Sequence, residues 1–197
     1  MSINPTILKT LHKNGGMITT EKTLSLGFSK TLLGKYEKAG LLNRVSHGLY
    51  MLPDEIEDDM YTLMLRSKHI IFSHESALFL CGLSNRTPFI HSVTIPSNAA
   101  LRQSIKDQCK YYYIKPSLHP MGLIEKKTTM GHSVRCYNPE RTVCDFLRSR
   151  SRCDEETVIN AIKAFAASKN KDLNLLSEYA SKLHVTVALR KYMEVLL

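Results

Sequence analysis

No apolar run in this 197-residue sequence approaches the roughly 20 residues that a helix needs to cross a bilayer. The N-terminus also lacks the cationic start and apolar stretch of a signal peptide. The expected location is therefore the cytoplasm, with no membrane partner. The five cysteines, Cys81, Cys109, Cys136, Cys144 and Cys153, are odd in number and well separated, so a disulfide framework is not expected and buried, reduced thiols are. No paired cysteines suggest zinc, and neither a P-loop nor a dinucleotide-binding glycine pattern occurs. Internal repeats and low-complexity segments are absent as well, and the carboxylates from Pro96 onward form no metal-binding cluster. These absences point to a non-enzymatic protein with no cofactor and no metal.

What the sequence does carry is positive charge. The formal net charge is +9 and the isoelectric point near 9.3, which favours an acidic partner, either a nucleic acid or an acidic protein face. The charge is concentrated in two blocks. Up to Pro53, Lys9, Lys13, Lys22, Lys30, Lys35, Lys38 and Arg44 are opposed only by Glu21 and Glu37. An acidic stretch follows, with Asp54, Glu55, Glu57, Asp58 and Asp59, and from Pro96 onward lysine and arginine again exceed aspartate and glutamate.

The first block has a recognisable order of elements. Asn4-Pro5 is a helix start, a cap residue followed by proline at the first helical position, and Ile7, Leu8 and Leu11 give its inward face before Gly15-Gly16 stops it. A short helix over Thr20 to Leu26 ends at Gly27. Ser29 then serves as N-cap of a helix from about Lys30 to Ala39, closed by Gly40 in the left-handed conformation. Within it Leu32, Leu33, Tyr36 and Ala39 recur at buried-stripe spacing, leaving Lys30, Thr31, Lys35 and Lys38 on the outer face. Leu41 to Val45 and Leu49 to Leu52 bracket the Ser46-His47-Gly48 turn and read as a hairpin with Arg44 and His47 at its tip. Taken singly, each lysine is only a solvated face. Together, the glycine turn, helix pair and hairpin describe a winged helix-turn-helix, and its basic stripe is the footprint expected of a DNA reader. The candidate contacts are Ser29, Lys30, Thr31, Lys35 and Lys38 along the major groove, with Arg44, Ser46 and His47 of the wing meeting phosphate or the minor groove.

The rest reads as mixed α/β. A helix over Met60 to Arg66 follows the acidic stretch. Ser73 caps one carrying Ala77, Leu78 and Leu80, and Ser92 to Ile95, Tyr111 to Ile114, Leu123 to Thr128 and His132 to Tyr137 read as strands. Helices beginning at Asn138-Pro139 and Asp154, then over Leu173 to Leu183 and Val187 to Leu197, complete the chain. The expected class is α+β: a winged helix over residues 1–53, then a mixed α/β domain over 54–197 ending in several helices, with a boundary that could fall as late as about 95. His74-Glu75 resembles the start of a zinc-protease helix, but Leu78 stands where the second histidine would lie, so the stretch reads as structural. Arg141 and Asp145 have the spacing of a local ion pair. Lys126, Lys127, Arg148, Arg150 and Arg152 are candidates for a second basic surface, since arginines in a loop can grip phosphate or carboxylate.

The winged-helix order, Ser73-His74-Glu75-Ser76-Ala77-Leu78 with Gly82-Leu83-Ser84, Val93-Thr94-Ile95-Pro96 and Asn138-Pro139-Glu140-Arg141-Thr142-Val143-Cys144-Asp145 together resemble the abortive-infection AbiEi antitoxin family. The resemblance implies the antitoxin of a type IV toxin-antitoxin pair in a phage-defence operon. Its partners would be double-stranded promoter DNA with inverted repeats, which it represses, and a nucleotidyltransferase toxin, countered with or without a stable complex. An ordinary winged-helix regulator with a ligand-sensing or dimerising second domain is the alternative, and a nucleic-acid-processing enzyme a further one.

Overall fold

The computed structural model describes residues 1–196 and divides the chain into two compact units, Met1–Arg66 and Ser67–Leu197. In the first, α1 (Pro5–Lys13) starts as expected, with Asn4 Oδ1 accepting from the Thr6 amide and proline at the first helical position. It is followed by β1 (Met17–Thr19), α2 (Thr20–Ser25), α3 (Leu32–Lys38), β2 (Asn43–Ser46), β3 (Leu49–Met51) and α4 (Asp59–Leu65). The three strands form an antiparallel sheet in the order β1-β3-β2.

Period-two alternation gives that sheet two buried faces. Ile18 and Tyr50 face Ile7, Leu11, Leu33, Tyr36 and Leu42. Met17, Leu49 and Met51 point the other way, where Tyr61 and Leu65 of α4 pack on them and the Thr62 hydroxyl approaches Met17 Sδ at 3.6 Å. The first unit thus ends at Arg66, within the range of 53 to about 95 expected for the boundary, because a unit ending at Pro53 would leave three buried side chains uncovered. The acidic stretch supplies the start of α4, whose amide at Tyr61 donates to Asp58.

The second unit contains β4 (Ile71–Phe72), α5 (His74–Leu80), β5 (His91–Pro96), α6 (Gln103–Lys106), β6 (Cys109–Ile114), β7 (Leu123–Lys127), β8 (Ser133–Tyr137), α7 (Pro139–Arg148), α8 (Glu155–Ala167), α9 (Leu173–Lys182) and α10 (Thr186–Leu196). Leu197, the expected end of the last helix, lies outside the described residues. The class is α+β. Five strands run in the order β6-β5-β4-β8-β7, with β5/β6 and β4/β8 parallel and β4/β5 and β7/β8 antiparallel. All five cysteines are free thiols, and Cys109, Cys136 and Cys144 are buried. Helix α7 is buried along its whole middle, Glu140 to Leu147, and Val143, Phe146 and Leu147 meet Leu78, Val158, Ile162, Phe165, Leu176, Ala180 and Leu189 from the other helices. No described helix is long and apolar enough to cross a membrane.

Candidate nucleic-acid interface

In the first unit the helix pair and hairpin take the positions the sequence pattern gives them, with one shift of consequence. Helix α3 begins at Leu32 rather than Lys30, and the N-cap position falls to Thr31, which makes no side-chain cap. Ser29 does not cap: its hydroxyl lies 3.2 Å from the Thr31 hydroxyl, while its carbonyl accepts from the Leu32 amide. Ser29, Lys30 and Thr31 therefore stand exposed on the turn entering the helix, and of the expected contacts only Lys35 and Lys38 lie on its outer face. The buried stripe narrows accordingly to Leu33 and Tyr36. Leu32 is half-buried, and Ala39 has become an exposed C-cap ahead of Gly40 at φ +70°. The Leu41 amide closes back on the Tyr36 carbonyl, which completes a left-handed helix stop. Tyr36 also fixes α3 to α1, since its hydroxyl accepts from the Asn4 amide at 2.9 Å.

The wing turns over His47 and Gly48, the latter at φ +77°. Arg44 lies within β2 rather than at the tip, beside a bulge between Arg44 and Ser46. Its Nη2 is 3.3 Å from His47 Nδ1, and because a guanidinium only donates, it would orient the ring with that nitrogen unprotonated. Arg44 and His47 are exposed. Ser46 is half-buried with its hydroxyl screened from solvent and unpartnered among the described residues, so of the eight expected contacts it alone is not offered to a ligand.

The five residues expected to form a second basic surface do not come together. Lys126 and Lys127 are exposed on β7, at one edge of the five-stranded sheet, and as neighbours in a strand they face opposite ways. The arginine run lies against β6, at the other edge. There Arg148 Nη1 donates to the Tyr113 carbonyl at 3.4 Å, and Arg152 Nη2 donates to the Tyr111 carbonyl at 3.1 Å. These carbonyls point away from β5, so the two guanidiniums satisfy the open edge of the sheet. Arg152 also stacks on the Tyr112 ring at 4.5 Å. Only Arg150 of the run projects freely. The run expected in a loop starts within α7, at Arg148, and continues as a 3-10 turn, Arg150–Arg152.

The Ser-His-Glu stretch builds a buried polar network, which sequence reasoning missed. His74 stands at φ +48°, fully buried, stacked on Tyr112 at 3.7 Å and edge-on to Phe146. Its Nδ1 contacts the Ser73 hydroxyl at 3.0 Å, which in turn accepts from Thr94 at 2.9 Å, so Ser73 belongs to this chain of contacts and does not cap α5. Burial first, then the Arg148 and Lys110 cations, hold the imidazole well below its ordinary value. Glu75 accepts from Ser92 at 2.6 Å and faces Lys110 at 3.6 Å.

Beside that network, Arg141 and Asp145 form the local pair expected from their spacing, with Nε to Oδ2 at 3.1 Å and neither side chain exposed. Arg141 Nη1 also donates to the Leu118 and Met121 carbonyls, and the guanidinium lies 4.2 Å over the Tyr137 ring. Arg148 approaches the second carboxylate oxygen at 3.7 Å. Burial pushes the Asp145 carboxyl up from its ordinary value against the pull of both guanidiniums. The signal in the sequence is the i, i+4, i+7 spacing of Arg141, Asp145 and Arg148, which puts all three on one helix face.

No protein-family model and no curated protein sequence matches this chain. Among solved structures, it is similar to the crystal structure of the Rv2827c protein from Mycobacterium tuberculosis, with a TM-score of 0.59 over 89% of this chain and 70% of that one. At 12% identity the likeness is one of fold.

Proposed function

We propose that the protein is an autorepressing antitoxin of the type IV, abortive-infection kind, whose first unit binds promoter DNA and whose second counters a nucleotidyltransferase toxin. The observation that supports DNA binding is the exposure of Lys35 and Lys38 on the outer side of α3 and of Arg44, with His47 beside it, on the wing. On this reading α3 enters the major groove, Lys30 and the hydroxyls of Ser29 and Thr31 approach the backbone at its N-terminal end, and the wing reaches adjacent phosphate or the minor groove. A seven-residue helix spans few base pairs, so useful specificity calls for two copies on an inverted repeat. The antitoxin half of the reading is supported by the sequence resemblance.

The test uses the full chain with Lys30, Lys35 and Arg44 all changed to alanine. These side chains are exposed, so the fold should persist. Each lost phosphate contact should flatten the dependence of log K on log salt by about one unit, whereas a lost base contact should cost about 1 to 3 kcal/mol on the operator alone. The variant is expected to lose repression of the upstream promoter while still protecting cells that express the neighbouring toxin. Unchanged affinity and salt slope would reject this DNA surface. Loss of protection at normal protein levels would reject the division of labour between the units.

A further inference from the structure

A cavity of about 290 Å³ opens at the β6 end of the second unit. Ser97, Tyr113, Lys115, Arg148, Lys182 and His184 line it. Three properties bear on what it would hold, the first being the charge behind it. Two guanidiniums, Arg141 and Arg148, share the single carboxylate of Asp145, and four of their polar atoms have no hydrogen bond among the described residues: Arg141 Nη2, Asp145 Oδ1, Arg148 Nε and Arg148 Nη2. A cationic excess held away from water is stabilised by an anion that can approach it. Arg148, with 26% of its side chain exposed, is the member that reaches the cavity.

The second property is the rim. Lys115 is exposed, and among the described residues Lys182 is tied only to Glu178, across a pair in which both side chains are half exposed, which water screens. The α9 terminus, which could oppose an anion through its last carbonyls, is closed. Leu183, His184 and Val185 donate to Tyr179, Ser181 and Ala180, with His184 left-handed at φ +59°.

The third is pre-organisation. Asp145 and the Tyr113 carbonyl hold the Arg148 guanidinium in place with its Nε and Nη2 buried, so it would meet a tetrahedral oxyanion through Nη1, the nitrogen on the exposed side, and little side-chain freedom would be lost in doing so. The cavity also exceeds what a bare phosphate occupies, and its remaining wall is the flat, part-exposed Tyr113 ring with Leu118 and Leu183. That wall suits a base.

We propose that this cavity is a phosphate-ester site, in which Arg148, Lys115 and Lys182 take the phosphate of a nucleotide or of a nucleic-acid strand end, with its base against Tyr113. The site stands whether or not the first unit binds DNA.

The test is calorimetric titration of the full chain carrying alanine at Lys30, Lys35 and Arg44, which removes the first unit's cationic surface. AMP should bind and adenosine should bind at least about tenfold more weakly, the loss expected for charge-assisted hydrogen bonds. Lys115→Ala with Lys182→Ala, both exposed changes, should weaken AMP about tenfold, and Arg148→Lys, which keeps the charge but not the planar group fixed by Asp145 and the Tyr113 carbonyl, should weaken it further. A single-stranded DNA hexamer with and without a 5′-phosphate separates the sources: tighter binding of the phosphorylated strand than of AMP identifies a strand end, and the reverse identifies a free nucleotide. Equal binding of AMP and adenosine, no binding of AMP at millimolar concentration, or unchanged affinity in the Lys115, Lys182 variant would each overturn the assignment.

Discussion

Replacing Asp145 by asparagine isolates the electrostatic cost of the second unit's interior. The change keeps the shape and one acceptor oxygen, turns the other into a donor, and removes the charge that faces Arg141 at 3.1 Å and Arg148 at 3.7 Å. Breaking a buried pair by neutralising one member costs about 3 to 5 kcal/mol, because the other charge is left without compensation. Here the lower end applies. Arg141 keeps the Leu118 and Met121 carbonyls and the Tyr137 face, and Arg148 can lean on the water that reaches it. A loss of about 3 kcal/mol lowers the Tm of a unit this size by roughly 10 °C. Calorimetry at pH 7, read on the transition of the second unit and paired with urea denaturation, measures both. Removing Asp145 with its fully buried partner, Arg141→Met with Asp145→Leu, leaves only the part-exposed Arg148 without its carboxylate and should recover at least half of the loss. An Asp145→Asn protein within 1 kcal/mol of its parent, or a double variant whose loss is the sum of the singles, would refute the reasoning.

Two further outcomes follow from the same unit. An imidazole held low in the native state and free to protonate near pH 6.5 when unfolded makes the unfolded chain bind more protons on acidification. Stability should therefore fall below about pH 6.5, by up to about 1.4 kcal/mol per pH unit until the native pKa is reached. His119, also held low by burial, contributes with the same sign, so the check is the difference in slope between the parent and His74→Asn, which tolerates the left-handed backbone; equal slopes would remove His74 from the account. Gly122→Ala should cost about 2 kcal/mol, since φ is +77° and the new Cβ would come within 2.7 Å of Arg141 Cβ. Gly131→Ala, at φ +86° with open space around it, should cost only the backbone part, about 1 kcal/mol, and thermal melts of the two distinguish crowding from strain.

The helices that were legible in the sequence announce themselves at their ends. Asn4, Asp154 and Asn138 each sit before a periodic apolar run, and each side chain accepts from an amide two or three residues on. The elements that were not legible are short: β1 has three residues, β4 two and α6 four. No periodicity develops over such lengths, and β1 and β4 exist because neighbouring strands pair with them. The start of α3 illustrates the same limit from the other side. Ser29 is a good cap by type, yet its hydroxyl is engaged with Thr31, and a helix start two residues later moves Lys30 from the helix face to the entering turn.

The arginine run shows why surface chemistry reads less well than helix ends. Arg148, Arg150 and Arg152 look alike in sequence, and nothing local distinguishes a cation that meets solvent from one that meets a carbonyl. The distinction is made by β6, whose outward Tyr111 and Tyr113 carbonyls lie two residues apart in an extended strand and meet two arginines four residues apart across a turn. An edge strand with open carbonyls is a template for unwanted pairing, and capping it with charge is one of the few ways to close it. The same guanidinium that closes the edge at Tyr113 also reaches Asp145 from the end of α7, so the sheet edge, the buried ion pair and the phosphate cavity share one residue. Arg148 is therefore where a change meant to probe binding will also disturb the fold, and Lys115 and Lys182, which carry no such structural duty, separate the two effects.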